Sequence, residues 1–349
     1  MPGSPWPAGG DDAAPRLIVL GSIHFDLIVR LPRLPRSNDR LTPLEVALCP
    51  GGMGGNVAAA FARLGGQSAF AGSFAPDEDG EALRADLVAE GVDVTPARVR
   101  RHGRTPQGVV LVGEQGERAV IGSVGDYGRL RRSSGRSVAR GRPTRPDEWA
   151  RRMRDPAAAL LREPAAFAAP AAACYCPAVL APLLSLLPAD LPLIIDVEMD
   201  HTASWDVDLL RAVLGRAAIV LGNEGSLSEA ARRLGYDAAD GLAAETDGIV
   251  AITRGARGCR VLAGHERGEF TGFMGDSVDT TGAGDCFAAA FSLAVLRGEP
   301  VDVAARFANA AAALWVRALG SGTAVPSGEE VCGFLAEAAA RAVDGGGIS

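Results

Sequence analysis

The chain has 349 residues, 48 % of them hydrophobic, enough to bury a large core. At about 150 residues per domain this allows two domains, or one α/β domain with a small appendage. The formal net charge of −7 argues against general nucleic-acid binding. All 35 basic residues are arginine, and the lack of lysine excludes both a lysine-bearing phosphate loop and a lysine Schiff base.

Residues 1–15 are rich in Pro, Gly, Ala and Asp and lack the basic start and apolar stretch of a signal peptide. They read as a disordered leader. Arg16–Gly21 follows as a buried strand ending in a glycine turn. The loop Gly51-Gly52-Met53-Gly54-Gly55 precedes a helix with Asn56 as its N-cap candidate and Gly65 as its stop. Ala69–Ser73 reads as a strand and Asp79–Glu90 as a helix. Gly108–Val112 and Arg118–Ile121 flank Glu114-Gln115-Gly116 as a hairpin.

Residues 129–154 carry ten arginines against Asp147 and Glu148. Trp149 is the one aromatic there able to stack on a base, so the segment reads as a solvated surface insertion rather than a nucleic-acid site. The uncharged stretch 164–189 is long enough to raise a membrane span, but five prolines break it. A buried strand followed by a helix is expected there instead.

Strands are expected at Leu193–Val197, Ala217–Leu221, Gly248–Thr253, Cys259–Ala263 and Glu269–Gly272, with a helix running to Leu234-Gly235. Alternating strands and helices imply a mostly parallel sheet covered on both faces. The six cysteines include no C-x-x-C pair and the chain has four histidines, which argues against zinc. Cys174 and Cys176 would lie on opposite sides of a strand, so free thiols are expected.

The most informative run is Val278-Asp279-Thr280-Thr281-Gly282-Ala283-Gly284-Asp285-Cys286-Phe287. Gly282, Ala283 and Gly284 allow a ligand close to the backbone, and the N–H groups at the start of the following helix suit an anion. A carboxylate beside an anion is unfavourable unless it has a task. For Asp285 that task is to take a proton from a hydroxyl attacking a phosphoryl group.

The run resembles the D-T-x-G-A-G-D-x-F signature of the ribokinase family, the phosphofructokinase-B type of carbohydrate kinases. The resemblance extends over roughly residues 16–335. It implies a ribokinase-like three-layer α/β/α sandwich spanning 16–340. A small β-sheet lid, built from about 28–49 and 108–123, would exclude water. It also implies ATP as donor, magnesium, potassium as in several members, a small sugar as acceptor, a cytoplasmic location and a homodimer paired through the lids. Neither nucleic acid nor membrane is implied as a partner.

Residue by residue, Gly21-Ser22-Ile23-His24-Phe25-Asp26 resembles the family's first motif, in which the acid, here Asp26, binds sugar hydroxyls. Gly51, Gly52 and Asn56 match G-G-x-x-x-N, which lays a polyol against the backbone. Met53 stands where members close to ribokinase carry Lys. Asn223 matches the start of N-x-x-E, but Ser226 replaces the final Glu, leaving Glu224 or Glu229 as substitutes near the metal. Thr253, Gly255 and Gly258 match the phosphate loop T-x-G-x-x-G, with Arg254 or Arg257 adding charge. Asp279 and Thr281 resemble residues that hold a monovalent cation, with 320–327 supplying the other half. Asn309 resembles a residue of the adenine pocket. Asp196-Val197-Glu198 departs from the usual D-x-N and, with 71–77, looks somewhat like ketohexokinase-type members. Two alternatives remain: a nucleoside kinase, with Phe25 as the aromatic over the base, and a retired kinase acting as a sugar sensor. His24 is expected to be a packed or surface residue.

Overall fold

The computed structural model describes residues 14–114, 116–122, 171–174, 191–198, 207–275, 277–321 and 325–345. The leader up to residue 13, the arginine-rich segment 129–154 and Cys176 lie outside the described residues. So does 164–189, apart from the strand Ala171–Cys174.

In chain order the elements are β1 (Arg16–Leu20), β2 (His24–Leu31), β3 (Glu45–Gly51), α1 (Met53–Arg63), β4 (Gln67–Phe70), β5 (Ser73–Phe74) and α2 (Glu78–Ala89). They continue with β6 (Arg98–Val99), β7 (Gln107–Gly113), β8 (Arg118–Ile121), β9 (Ala171–Cys174), β10 (Leu193–Val197), α3 (Val207–Leu214) and β11 (Ala217–Asn223). The last are α4 (Glu224–Leu234), β12 (Ile249–Thr253), β13 (Cys259–Ala263), β14 (Glu266–Phe270), α5 (Ala283–Leu296), α6 (Val301–Trp315) and α7 (Gly328–Gly345).

Eight strands form the main sheet in the order β14-β13-β12-β11-β10-β9-β1-β4. The pairings from β4 to β12 are parallel, and β13 and β14 are antiparallel. Successive residues of each strand point to opposite faces, and this sorts the apolar residues into two cores. Leu17, Val19, Ile194, Ile219 and Leu221 pack with Val57 and Phe61 of α1 and with Phe287 and Phe291 of α5. Ile18, Leu20, Ile195, Val197 and Val220 pack with Leu210 and Val213 of α3 and Leu227 and Ala230 of α4. The result is the expected α/β/α sandwich.

A second sheet, β3-β2-β7-β8, forms the lid. It begins at His24, four residues earlier than expected, because β2 continues almost directly from β1. Its inner face packs Ile28, Cys49, Val110 and Val112 over Leu319. Its outer face is two apolar rungs: Leu48, Leu27, Val109 and Ile121 in one, and Val46, Val29, Leu111 and Ala119 in the next.

Other boundaries differ from expectation as well. The strand expected at 69–73 ends at Phe70, and Ser73-Phe74 pairs separately with Arg98-Val99. β14 starts at Glu266, because a two-residue turn lets the exposed Glu266 and Arg267 join the edge of the sheet. α1 starts at Met53 with Gly52 as its N-cap, so Asn56 is not a cap but lies in the first turn, its side chain free for other work. Among the described residues Cys49, Cys259, Cys286 and Cys332 are free thiols, and no helix is long and apolar enough to cross a membrane.

Candidate active site

The site lies at the carboxyl ends of β1, β10, β11 and β12, the edge where open parallel sheets bind ligands. α5 points its N-terminus at this edge. Gly282 caps the helix at φ 79°, and a Cβ there would press on Trp315 and Ser321, so glycine is required. Trp315 Nε1 donates to Thr281 O at 2.8 Å and fixes the preceding turn. Ala283 N donates weakly to Thr280 O at 3.3 Å. The N–H groups of Gly284 and Asp285 lack an i−4 partner within the helix.

Asp285 is 8 % exposed. Its Oδ2 accepts from Asn56 Nδ2 at 2.6 Å, across 229 residues. Two motifs far apart in sequence are therefore one site. Burial pushes the Asp285 carboxyl up to about 7, against the Asn56 hydrogen bond, which favours the charged form. Glu198 and Asp26 push it further up, while the charge of Arg118 draws it down. A carboxyl at that value suits proton abstraction near neutrality.

Asp26 lies on lid strand β2, buried at 5 % exposure. A Cβ at Gly51 or Gly108 would collide with its carboxylate, so these glycines make the slot it occupies. His24 Nε2 lies 3.2 Å from Asp26 Oδ1. His24 is partly buried beside Asp26, as a packed residue would be. The i and i+2 positions of one strand face share a side, and that spacing was visible in the sequence.

The opposite end of the site is built from β11 and β12, where Asn223 pairs with Thr253 across the sheet. Asn223 caps α4: its Oδ1 accepts from Ser226 N and its Nδ2 donates to Ser226 Oγ, both at 2.9 Å. Ser226 is fully buried. Glu224 is paired with Arg257 at 2.7 Å, and Glu229 with Arg232 and Arg233, which hold its carboxyl at about 2. Glu224 and Glu229, the two candidates to replace the family's Glu, are each ion-paired with arginine. Thr253 Oγ1 donates to Gly222 O at 3.3 Å. Gly255 and Gly258, at φ 59° and 89°, shape the short turn after it. Arg254 is held by both oxygens of Glu269 at 3.1 Å.

Asn309 is buried on α6 and donates to Phe270 O at 3.1 Å and Thr271 O at 3.3 Å, tying that helix to the end of β14. Asp279, 1 % exposed, accepts from Thr281 N and Oγ1 through one oxygen and from Gly320 N through the other. It clamps the glycine turn to the 316–321 segment. Residues 322–324, part of the other half expected for a cation site, lie outside the described residues.

The sequence profile of the pfkB family of carbohydrate kinases matches residues 14–133 and 195–328. The chain belongs to that family. It is similar to the ATP-dependent ribose-1-phosphate kinase of Halopiger xanaduensis, 28 % identical over 339 residues, covering 92 % of this chain and 98 % of the relative. It is also similar to the fructokinase of Salmonella typhimurium, 32 % identical over 330 residues, covering 88 % and 95 %. Among solved structures, the fold matches Burkholderia thailandensis nucleoside kinase in complex with inosine, with a TM-score of 0.73, 19 % identity and coverage of 92 % and 98 %. This pfkB-family chain is therefore a phosphotransferase with ATP as donor, a sugar or nucleoside kinase of ribokinase-like fold.

The pfkB signature left three charged residues of the site unassigned. Asp196, at the end of β10, is 8 % exposed, and burial together with Glu198 and Asp285 pushes its carboxyl well above the usual range. Glu198 is one of the charges acting on both aspartates. Arg118 reaches across from the lid, its Nη1 donating to Thr280 O at 3.0 Å. Nothing in the spacing of the hairpin strand marked Arg118 as a site residue. Phe25, the aromatic a nucleobase would need, is instead buried in the main core.

Proposed function

We propose that this chain transfers the γ-phosphoryl group of ATP to a primary hydroxyl of a small ribose- or fructose-like carbohydrate, with Asp285 as the base. The observation that carries this reading is the 2.6 Å bond from Asn56 to Asp285, which sets the raised carboxyl between the acceptor motif and the helix start. Asp26, Gly51, Gly52 and Asn56 orient the acceptor. Asp285 takes the hydroxyl proton, and the freed oxygen pair forms the new bond to γ-phosphorus. The bond from that phosphorus to the bridging oxygen breaks, and its electron pair leaves with ADP. The N–H groups of Gly282, Ala283, Gly284 and Asp285 form the anion cradle, with Gly284 and Asp285 the open donors. Thr253, Gly255, Gly258, Asn223 and Asn309 line the nucleotide side.

Magnesium, when bound, neutralises triphosphate charge. Asp196 and Glu198 fit it as hard oxygen donors beside Asp285 and would hold it in place of Glu224. No cluster of three such side chains closes on one point among the described residues, so the two carboxylates would hold the ion together with oxygens from outside the protein. The Asp279 oxygens already accept three donors, and we do not extend the proposal to potassium at Asp279 and Thr281.

Pairing of two copies through the outer lid face completes the reading, supported by the exposed Leu27, Val46, Leu48 and Ile121. A cytoplasmic location belongs to the same proposal, supported by ATP as donor and by the free thiols Cys49, Cys259, Cys286 and Cys332. The buried Phe25 weighs against a nucleoside acceptor.

The test is a coupled ATP-to-ADP assay with magnesium over pentoses, ketoses, their phosphates and nucleosides, with Asp285→Asn as control. Ribose- and fructose-based acceptors lead the panel because the relatives carry those names. Turnover lost in the variant supports the reading. Sugar binding without turnover by the wild-type chain supports a retired sensor instead.

A further inference from the structure

The chain has no lysine, so every permanent side-chain cation near the site is a guanidinium. Those on the nucleotide side are already neutralised: Arg254 by Glu269 and Arg257 by Glu224. Arg118 differs. It sits on β8, the edge strand of the lid, opposite Val112. Val112 is fully buried under the lid, and opposed residues of an antiparallel pair share a face, so Arg118 points toward the body of the enzyme. There its Nη1 donates to Thr280 O at 3.0 Å, two residues before the glycine that caps α5. Its charge is felt at Asp285. No ion pair among the described residues includes it.

We infer that Arg118 is a catalytic residue carried by the lid, whose guanidinium stabilises the negative charge on the γ-phosphoryl group as it passes from ATP to the acceptor. The inference rests on the phosphoryl-transfer reading above. One N–H holds Thr280 O and so fixes the distance between lid and anion cradle. The remaining donors of the planar fork are left for phosphoryl oxygens, a geometry that suits guanidinium better than ammonium. The positive charge is then complete over the phosphoryl group only while the lid is shut. Open, the site lacks it, which disfavours transfer to water. The bonds made and broken are those already given: the proton goes to Asp285 and the bridging electron pair to ADP. Arg118 changes neither, and acts on the charge between them.

The test compares Arg118→Met, Arg118→Gln and Arg118→Lys in the full chain, with the acceptor found for the wild type. Glutamine keeps a planar N–H donor without the charge on a side chain two bonds shorter, and lysine keeps the charge and the reach to Thr280 O. The expected result is a fall in kcat of about 10²–10³-fold in both Met and Gln variants, with acceptor KM changed by less than about threefold. Arg118→Lys should fall between them and the wild type. Guanidinium at millimolar concentration should restore part of the Arg118→Met rate. A kcat within threefold of wild type in Arg118→Gln or Arg118→Met would show that the guanidinium charge is not needed and overturn the inference. Silence of the wild-type chain on every acceptor is a different outcome: it removes the phosphoryl-transfer reading, and the inference with it.

Discussion

Asn56 and Asp285 are joined by a 2.6 Å hydrogen bond between the first turns of α1 and α5. The bond favours the ionised carboxyl, while burial opposes it more strongly, and the balance leaves Asp285 at about 7. In the proposed reaction Asn56 would therefore tune the base as well as orient the acceptor.

Removing that bond has a signed consequence. With Asn56→Ala the carboxyl loses the partner that stabilises its charge, so its pKa rises. The acidic limb of kcat/KM, expected near pH 7 in the wild type, should move to higher pH, and acceptor KM should rise with it. A pH–rate profile of both proteins checks this. A limb that stays put would mean that another group governs it.

Asp285→Asn should lower kcat by at least about 10³-fold while sugar binding, followed calorimetrically, stays within a few-fold. The same variant reports on stability. The Asp285 carboxyl is raised from an ordinary 3.8 to about 7. The folded state thus binds more protons than the unfolded chain between those values, and stability declines as pH climbs through that window. Asparagine carries no such penalty. Its Tm should exceed the wild type's at pH 8, and the gap should close by pH 4.

If Asp196 and Glu198 hold magnesium, Glu198→Gln should raise the magnesium concentration for half-maximal rate by about tenfold. Glu224→Gln should leave it unchanged, since Glu224 is already paired with Arg257. Binding of Mn²⁺ in the presence of ADP, read by electron paramagnetic resonance, gives the same comparison without turnover.

The outer lid face predicts the state of assembly. Leu48→Arg places a charge within the rung Leu48, Leu27, Val109 and Ile121. Sedimentation should show a dimer for the wild type and a monomer for the variant. A wild-type monomer at micromolar concentration refutes pairing through this face.

Much of this was legible from local pattern. Apolar runs such as Ala217–Leu221 gave the parallel strands, and the glycine–acid run gave the start of α5. What escaped depended on contacts distant in the chain. Asn56 looked like a cap because a polar residue follows glycines, yet Gly52 takes that place and Asn56 reaches Asp285. Arg118 sits in an ordinary hairpin strand, and only the fold of the lid brings it to Thr280. The Glu224 pair was hidden because Arg257 lies 33 residues away, whereas the i+3 and i+4 spacing of Arg232 and Arg233 from Glu229 was readable on the helix.

The lid strands come from two separated stretches of chain, and β2 lies parallel to β7. A parallel pair cannot form by a simple hairpin and must wait for the intervening α1, β4 and α2 to be made. Non-local pairing of this kind is slow. The acceptor slot, which needs Gly108 against Asp26, should therefore be among the last parts to assemble. A nascent chain released before β7 and β8 have emerged would carry β2 and β3 with an apolar face and an unpaired edge. During synthesis that half-sheet is where this protein is most exposed to aggregation and most in need of a chaperone.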